Sequence, residues 1–239
     1  MILAYHEITP EAGSSNYAYS LPAAWFREHL QVLSGNPGEA AEITFDDGHG
    51  SQFSTAAVLE QFGRRGIYFV TAGWTGESTT YMDWGQLRAL SAAGHQVQAH
   101  GWLHKFLTHC SPQELTTELR HTREVLEDRL GRPVDALSAP GGRWNRHVAE
   151  ACAQAGYRRL YVSDPWMAPT ERYGIHLLGR YMVRRTMDGA GLRRLLAMPA
   201  AERRWQSFRY RAKEGMRMAL GDTLYQRLWN LASRRPAEY

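Results

Sequence analysis

The chain has 239 residues, 44% hydrophobic and 22% charged, enough for one large domain with a substantial core. Its two cysteines, Cys110 and Cys152, stand in no CxxC spacing, which argues against a disulfide framework or a thiolate zinc site. The net charge of +4 hides an asymmetry: residues 180–239 carry +9 and residues 1–179 carry −5.

No stretch approaches the roughly 20 apolar residues needed to cross a bilayer. The segment Met1–Glu7 has neither the basic start nor the sustained apolar run of a signal peptide, so a cytoplasmic protein is expected. The basic end predicts an anionic neighbour, a membrane surface or a phosphorylated ligand, and no nucleic acid; a solvated helix face is the plain alternative.

In chain order, residues 2–7 alternate as a first strand with His6 near its end. Pro22 opens a helix to about Ser34, where a missing N–H does no harm. Ile43-Thr44-Phe45 favours extended backbone and delivers Asp46 and Asp47 into a turn that Gly48 can complete with a positive φ. Adjacent carboxylates repel, so a cation should compensate them or one pKa should shift. A solvated Asp-Gly turn is the alternative.

A helix is expected over 51–64, then an interior strand over Gly66–Val70. Asp83 is placed to cap a helix that ends at Gly94. Gln96–Ala99 is a strand that delivers His100. Ser111-Pro112-Gln113-Glu114 is a capping box opening a helix to about Leu130. Strands follow at 135–138, 160–163 and 175–178, with a helix ending at Ala155 between the first two.

This alternation predicts parallel strands with right-handed crossovers, and chemistry gathered at their C-terminal ends. One domain is expected over 1–186, followed by a basic helical appendage over 187–239. In the appendage Trp205, Phe208, Ala212 and Met216 share one helical stripe, and Leu224, Tyr225, Leu228 and Trp229 another. Packing on the barrel and peripheral contact with an anionic membrane or a lipid-linked glycan are the two readings of that stripe.

His100 and His104, four residues apart, would share one face of a helical turn, a common layout for a divalent ion. With a carboxylate they make a coherent ligand set with open positions for water and substrate. The second aspartate is then available to take a proton.

Thr44-Phe45-Asp46-Asp47-Gly48, His100-x-x-x-His104 about fifty residues later, and the turn Pro140-Gly141-Gly142-Arg143-Trp144-Asn145 together resemble the NodB-homology polysaccharide deacetylases, carbohydrate esterase family 4, over about residues 2–186. The resemblance implies a distorted (β/α) barrel of about seven parallel strands. It also implies metal-dependent removal of acetyl groups from N-acetylated sugars; surface or capsular polysaccharide assembly is the expected context, with a location in the cytoplasm or peripheral at the inner membrane.

By the same resemblance Asp46 is the general base, while Asp47, His100 and His104 hold one divalent ion, zinc first, with cobalt, nickel or manganese also fitting. The Gly141 N–H would support the oxyanion, and Asp164 and Trp166 match the family's fourth motif loosely. The chain departs from the family at two places. Ser138 stands where the family has an arginine that contacts the base, with Arg143 or Arg180 as replacements. The Leu-x-His that supplies the general acid is not cleanly present, and His176 is the nearest match.

Of the remaining histidines, His6 and His49 are pocket-lining or structural, and His95 and His109 are placed at the surface or behind the site. His29, His121 and His147 are assigned to helices away from the strand ends. Trp74, Trp84 and above all Trp102 are candidates to stack on sugar rings. A hydrolase of another C–N bond and a catalytically silent glycan-binding relative are the rival readings.

Overall fold

The computed structural model describes residues 1–35 and 41–220. Its first half comprises β1 (Ile2–Tyr5), β2 (Ile8–Thr9), β3 (Leu21–Pro22), α1 (Ala23–Ser34), β4 (Glu42–Phe45), α2 (Thr55–Gln61), β5 (Gly66–Val70), α3 (Trp84–Ala92) and β6 (Gln96–Ala99). Then come α4 (Pro112–Thr116), α5 (Thr122–Leu130), β7 (Ala136–Ser138), α6 (Arg146–Gln154), β8 (Arg159–Val162), β9 (Thr170–Arg172), β10 (Ile175–Gly179) and β11 (Tyr181–Met182). Helices α7 (Gly189–Leu196) and α8 (Ala200–Leu220) follow.

The main sheet runs β11-β1-β4-β5-β6-β7-β8-β10-β9, parallel throughout except for β9, which pairs antiparallel with β10. Strands β10 and β11 are two stretches of one extended segment, separated by Arg180. The first pairs with β8 and the second with β1, so the ends of the sheet meet and the barrel closes. Counting that segment once gives seven parallel strands, the expected distorted barrel.

Period-two alternation sorts the side chains. Phe45 faces outward, stacked on Tyr68 with centroids 4.6 Å apart and edge-on to Phe26 of α1. Thr44 and Asp46 face inward to Arg180, and Ile67, Phe69, Ala136 and Tyr161 form a buried cluster with Ile2 and Leu178 against it.

The capping box expected at Ser111 is present with Glu114, the cap expected at Asp83 is a full capping box with Gln86, and Gly131 in the left-handed region stops α5. The helix expected over 51–64 is shorter, a 3-10 turn at Gly50–Gln52 followed by α2. The helix from Ser111 is interrupted by a π turn over Thr117–His121.

The chain divides into two compact units, Met1–Ala197 and Met198 onward. The first takes in α7, because Gly189 N–H donates to Glu28 Oε2 at 3.1 Å and His29 Nε2–H to the Met187 carbonyl at 3.1 Å. The division therefore falls after 197, where sequence placed it after 186. In the second unit α8 carries Trp205 and Phe208 stacked at 5.7 Å, both well exposed. The stripe at Leu224, Tyr225, Leu228 and Trp229 lies outside the described residues.

Candidate active site

The end of β4 and the turn after it present the two carboxylates to different neighbours. Asp46 continues the inward face of the strand and is buried. Asp47 and Gly48 both adopt positive φ, 74° and 78°, a conformation that Asp tolerates better than most residues. A Cβ on Gly48 would stand 3.1 Å from Val70 Cβ, so the turn packs tightly on β5.

Asp47 Oδ1 lies 3.3 Å from His100 Nε2 and 3.4 Å from His104 Nε2. The rings of the two histidines are 4.9 Å apart. The turn that joins them is not the helical one expected: Gly101 and His104 have φ of 81° and 60°, and left-handed residues of this kind turn both rings toward Asp47. His100 Nδ1–H donates to the Ser138 carbonyl at 2.8 Å, which leaves Nε2 as the lone-pair nitrogen facing Asp47.

These three residues fit a divalent ion. Asp47 Oδ1 is buried without a hydrogen-bond donor, two imidazole nitrogens point at it, and one donor atom from each residue lies within 4.8 Å of the others. An oxygen and two nitrogens suit a borderline ion such as zinc.

Arg180 resolves the charge problem that the sequence posed. Its Nη1 donates to Asp46 Oδ1 and its Nη2 to Asp46 Oδ2, each at 2.7 Å, with the guanidinium fully buried. Nη2 also donates to Ser138 Oγ at 2.7 Å, and the Ser138 hydroxyl donates to Asp46 Oδ2 at 3.1 Å. Ser138 therefore fills the place of the family's arginine with a hydroxyl, and a cation from another strand reaches in beside it. The Arg143 guanidinium lies 3.8 Å over the Phe106 ring.

Burial alone would raise the Asp46 pKa, but Arg180 outweighs it and holds the carboxyl far below its usual range. Asp47 is also lowered, against burial, by the adjacent His100. Burial pushes His104 down to about 4, helped by His100. For His100 burial works downward and the Asp46 and Asp47 carboxylates win, raising it.

The other expected residues separate into two groups. His6 is buried at the end of β1, its Nδ1 has no partner, and its ring stacks on Tyr19 at 5.0 Å. Burial lowers its pKa against the pull of Asp46 and Asp47, which places it within the field of the site. Trp74 sits 5.4 Å from the His104 ring and 4.8 Å from Tyr81.

Gly141 has φ 62° and a Cβ there would lie 2.6 Å from Phe106, so the Pro140–Gly142 turn needs a glycine. Asp164 is buried, and one carboxylate oxygen accepts from the Trp166 N–H at 3.3 Å. The Trp166 ring lies 6.2 Å from Tyr181.

His176 is not brought to the site. It lies at the N-terminal end of β10, paired with Arg159 and Glu171, with its side chain 57% exposed 4.0 Å from Glu171. A strand's chemistry gathers at its C-terminal end, and there β10 delivers Arg180 instead. Trp102 is half-buried against His121, ring centroids 4.5 Å apart, and Trp84 packs under Arg129. His121 thus touches the histidine loop from its helix.

His95 is buried and structural, accepting the Gly66 N–H at 3.0 Å through Nδ1, where a surface or supporting position was expected. His49 Nδ1 accepts the Ser51 N–H at 3.2 Å and caps the turn after Gly48.

A carboxylate and two imidazoles at the C-terminal mouth of a distorted β/α barrel, beside a clamped second carboxylate, define the layout of a carbohydrate deacetylase. The profile of the polysaccharide deacetylase family matches residues 34–160, more than half of the chain. The chain belongs to that family, whose enzymes act on N-acetylated polysaccharides.

It is 24% identical to YxkH of Bacillus subtilis over 210 residues, 79% of this chain and 73% of that one. It is 32% identical over 123 residues to the peptidoglycan-N-acetylglucosamine deacetylase PgdA of Listeria monocytogenes, covering 50% of this chain but 25% of PgdA. The solved deacetylase PplD of Streptococcus pyogenes, in complex with acetate, shares the fold with a TM-score of 0.67 at 18% identity, over 81% of this chain and 96% of that one.

Proposed function

We propose that the protein hydrolyses the acetamide of an N-acetylated sugar or polysaccharide intermediate, using a divalent ion held by Asp47, His100 and His104. The orphaned Asp47 oxygen facing two imidazole nitrogens at 3.3 and 3.4 Å carries this reading. A silent glycan-binding relative would have no use for it, nor for a charged aspartate kept beside it.

Held by Asp47, His100 and His104, a divalent ion would supply Lewis acidity there. Asp46 takes the proton of the attacking water. Arg180 and Ser138 place three donors on a carboxylate with about four acceptor positions, which keeps Asp46 ionised and leaves one lone pair for that water. The strong clamp keeps Asp46 a weak base, charged and fixed in place.

The Gly141 N–H is assigned to the developing oxyanion. The departing amine needs a proton, and His6, buried at the mouth with an unpartnered Nδ1, is assigned that task in place of His176. Tyr17, Tyr81 and Trp74 supply aromatic faces near Asp47 and His104 for the sugar ring. Arg143, Asp164, Trp166 and Trp102 are left with supporting contacts to substrate or loop.

The test is acetate release from N-acetylated chito-oligosaccharides and N-acetylhexosamine donors by zinc-loaded protein. Tight zinc binding without acetate from any of them would favour hydrolysis of another C–N bond.

We also propose that α8 makes a peripheral contact with anionic lipid at the inner membrane surface. Trp205, Phe208 and Met216 are 58%, 62% and 53% exposed, and exposed Arg204 and Arg209 flank them. Aromatic rings beside arginines suit an interface with negative headgroups. Flotation with phosphatidylserine vesicles should carry the full chain and not a Trp205→Ser, Phe208→Ser variant. Equal flotation of both, or of neither, removes the idea.

A further inference from the structure

Residues Gly101, Trp102 and Leu103, which separate the two histidines, are held from opposite sides. On one side the Gly101 and Trp102 carbonyls accept from Ala72 and Gly73 N–H at 3.1 and 2.9 Å. On the other a single carboxylate takes the amides. Glu118 Oε2 accepts from Trp102 N–H at 2.7 Å and Oε1 from Leu103 N–H at 3.1 Å.

Glu118 is 1% exposed and belongs to the π turn over Thr117–His121. The extra residue in a π turn rotates side chains away from the positions that a continuous α-helix would give them. At the end of the same turn, His121 packs on the Trp102 ring at 4.5 Å. The loop is shaped around the carboxylate: a Cβ at Gly101, where φ is 81°, would stand 2.6 Å from Glu118 Oε2.

We propose that Glu118 is a positioning residue for the ion: it fixes the spacing of His100 and His104 by bonding the two amides between them. The inference rests on the triad binding a divalent ion. Among the described residues Glu118 bonds the loop amides and not the imidazoles, so its influence passes through the loop backbone. A free loop would have to be ordered when the ion binds, whereas a latched one already presents both Nε2 atoms to Asp47.

The experiment is zinc titration calorimetry, with the visible spectrum of the cobalt(II) form, on the full chain and its variants. Glu118→Ala should weaken zinc binding by about ten- to a hundredfold, the range seen when supporting partners of metal ligands are removed. It should also alter the cobalt band. Glu118→Gln keeps an acceptor oxygen without the charge and should restore the spectrum and most of the affinity.

Gly101→Ala should weaken zinc binding in the parent, and by a smaller factor in the Glu118→Ala background, where the clash is gone. This second arm reads the latch even if Glu118→Ala folds poorly. Parent-like zinc affinity in Glu118→Ala overturns the proposal. So does a Glu118→Gln variant as weak as Glu118→Ala, because charge alone would then be responsible. A parent that binds no zinc overturns the metal reading itself, and that failure is seen in the parent alone.

Discussion

Replacing Arg180 by Met removes the guanidinium and keeps much of the length and apolar stem. Two charge-assisted hydrogen bonds of 2.7 Å to Asp46 are lost, in a pair whose side chains are 0% and 3% exposed. Two such bonds at about 1.5–3 kcal/mol each agree with the about 3–5 kcal/mol lost when one partner of a buried ion pair is removed. Urea denaturation of metal-free protein at pH 7 should show that loss.

The sign of its pH dependence follows from Asp46. In the parent the folded pKa lies below the unfolded value, so the stabilisation is complete above the ordinary carboxylate range and lost as pH falls through the folded value. In the variant the guanidinium no longer opposes burial, only His100, His6 and the Ser138 hydroxyl still do, and the folded pKa is expected to rise above the unfolded one. The charged carboxylate then destabilises the fold at neutral pH, and protonation relieves it on acidification. The gap between parent and variant should therefore be widest near neutrality and narrow as pH falls. Asp46→Asn in the Arg180→Met background should recover much of the loss. A cost under about 1 kcal/mol, or one that does not shrink in acid, would refute the reasoning.

Asp46→Asn should lower turnover by about 10²–10⁴-fold while zinc affinity stays; Asp47→Asn should lose the zinc. Either result in the opposite variant would mean the two roles are exchanged. His6→Gln should lower kcat more than KM, and His176→Gln should leave both unchanged, in steady-state acetate release. Equal activity of His6→Gln and parent removes His6 from the proton path.

The residues that sequence made legible are those whose chemistry is local. Asp46-Asp47-Gly48 announced a carboxylate pair in a turn, and the spacing of His100 and His104 suggested a shared ion only when taken with that carboxylate and the family resemblance. The cap at Asp83 and the capping box at Ser111 were legible because cap chemistry is written within four residues. What failed was whatever depended on the path of the chain. The histidine turn was read as helical because spacing cannot reveal that Gly101 and His104 take positive φ. His176 was sought at the mouth as the nearest match to the missing Leu-x-His, and period-two alternation gives a face but not which end of the strand a residue occupies.

Arg180 stood among two replacements for the missing arginine, and only barrel closure, which brings it to a partner 134 positions earlier, decides between them. Glu118 left no signal, since an acidic residue in a polar helix looks solvated until the π turn buries it.

The break between β10 and β11 makes the cation arrive with the last barrel segment. A nascent chain that has emerged only as far as Gly179 already contains both aspartates and both histidines, but lacks the guanidinium that tames the first of them. The charge balance of the pocket is thus tied to closure: Asp46 gains its counter-ion from the same segment that joins the two ends of the sheet.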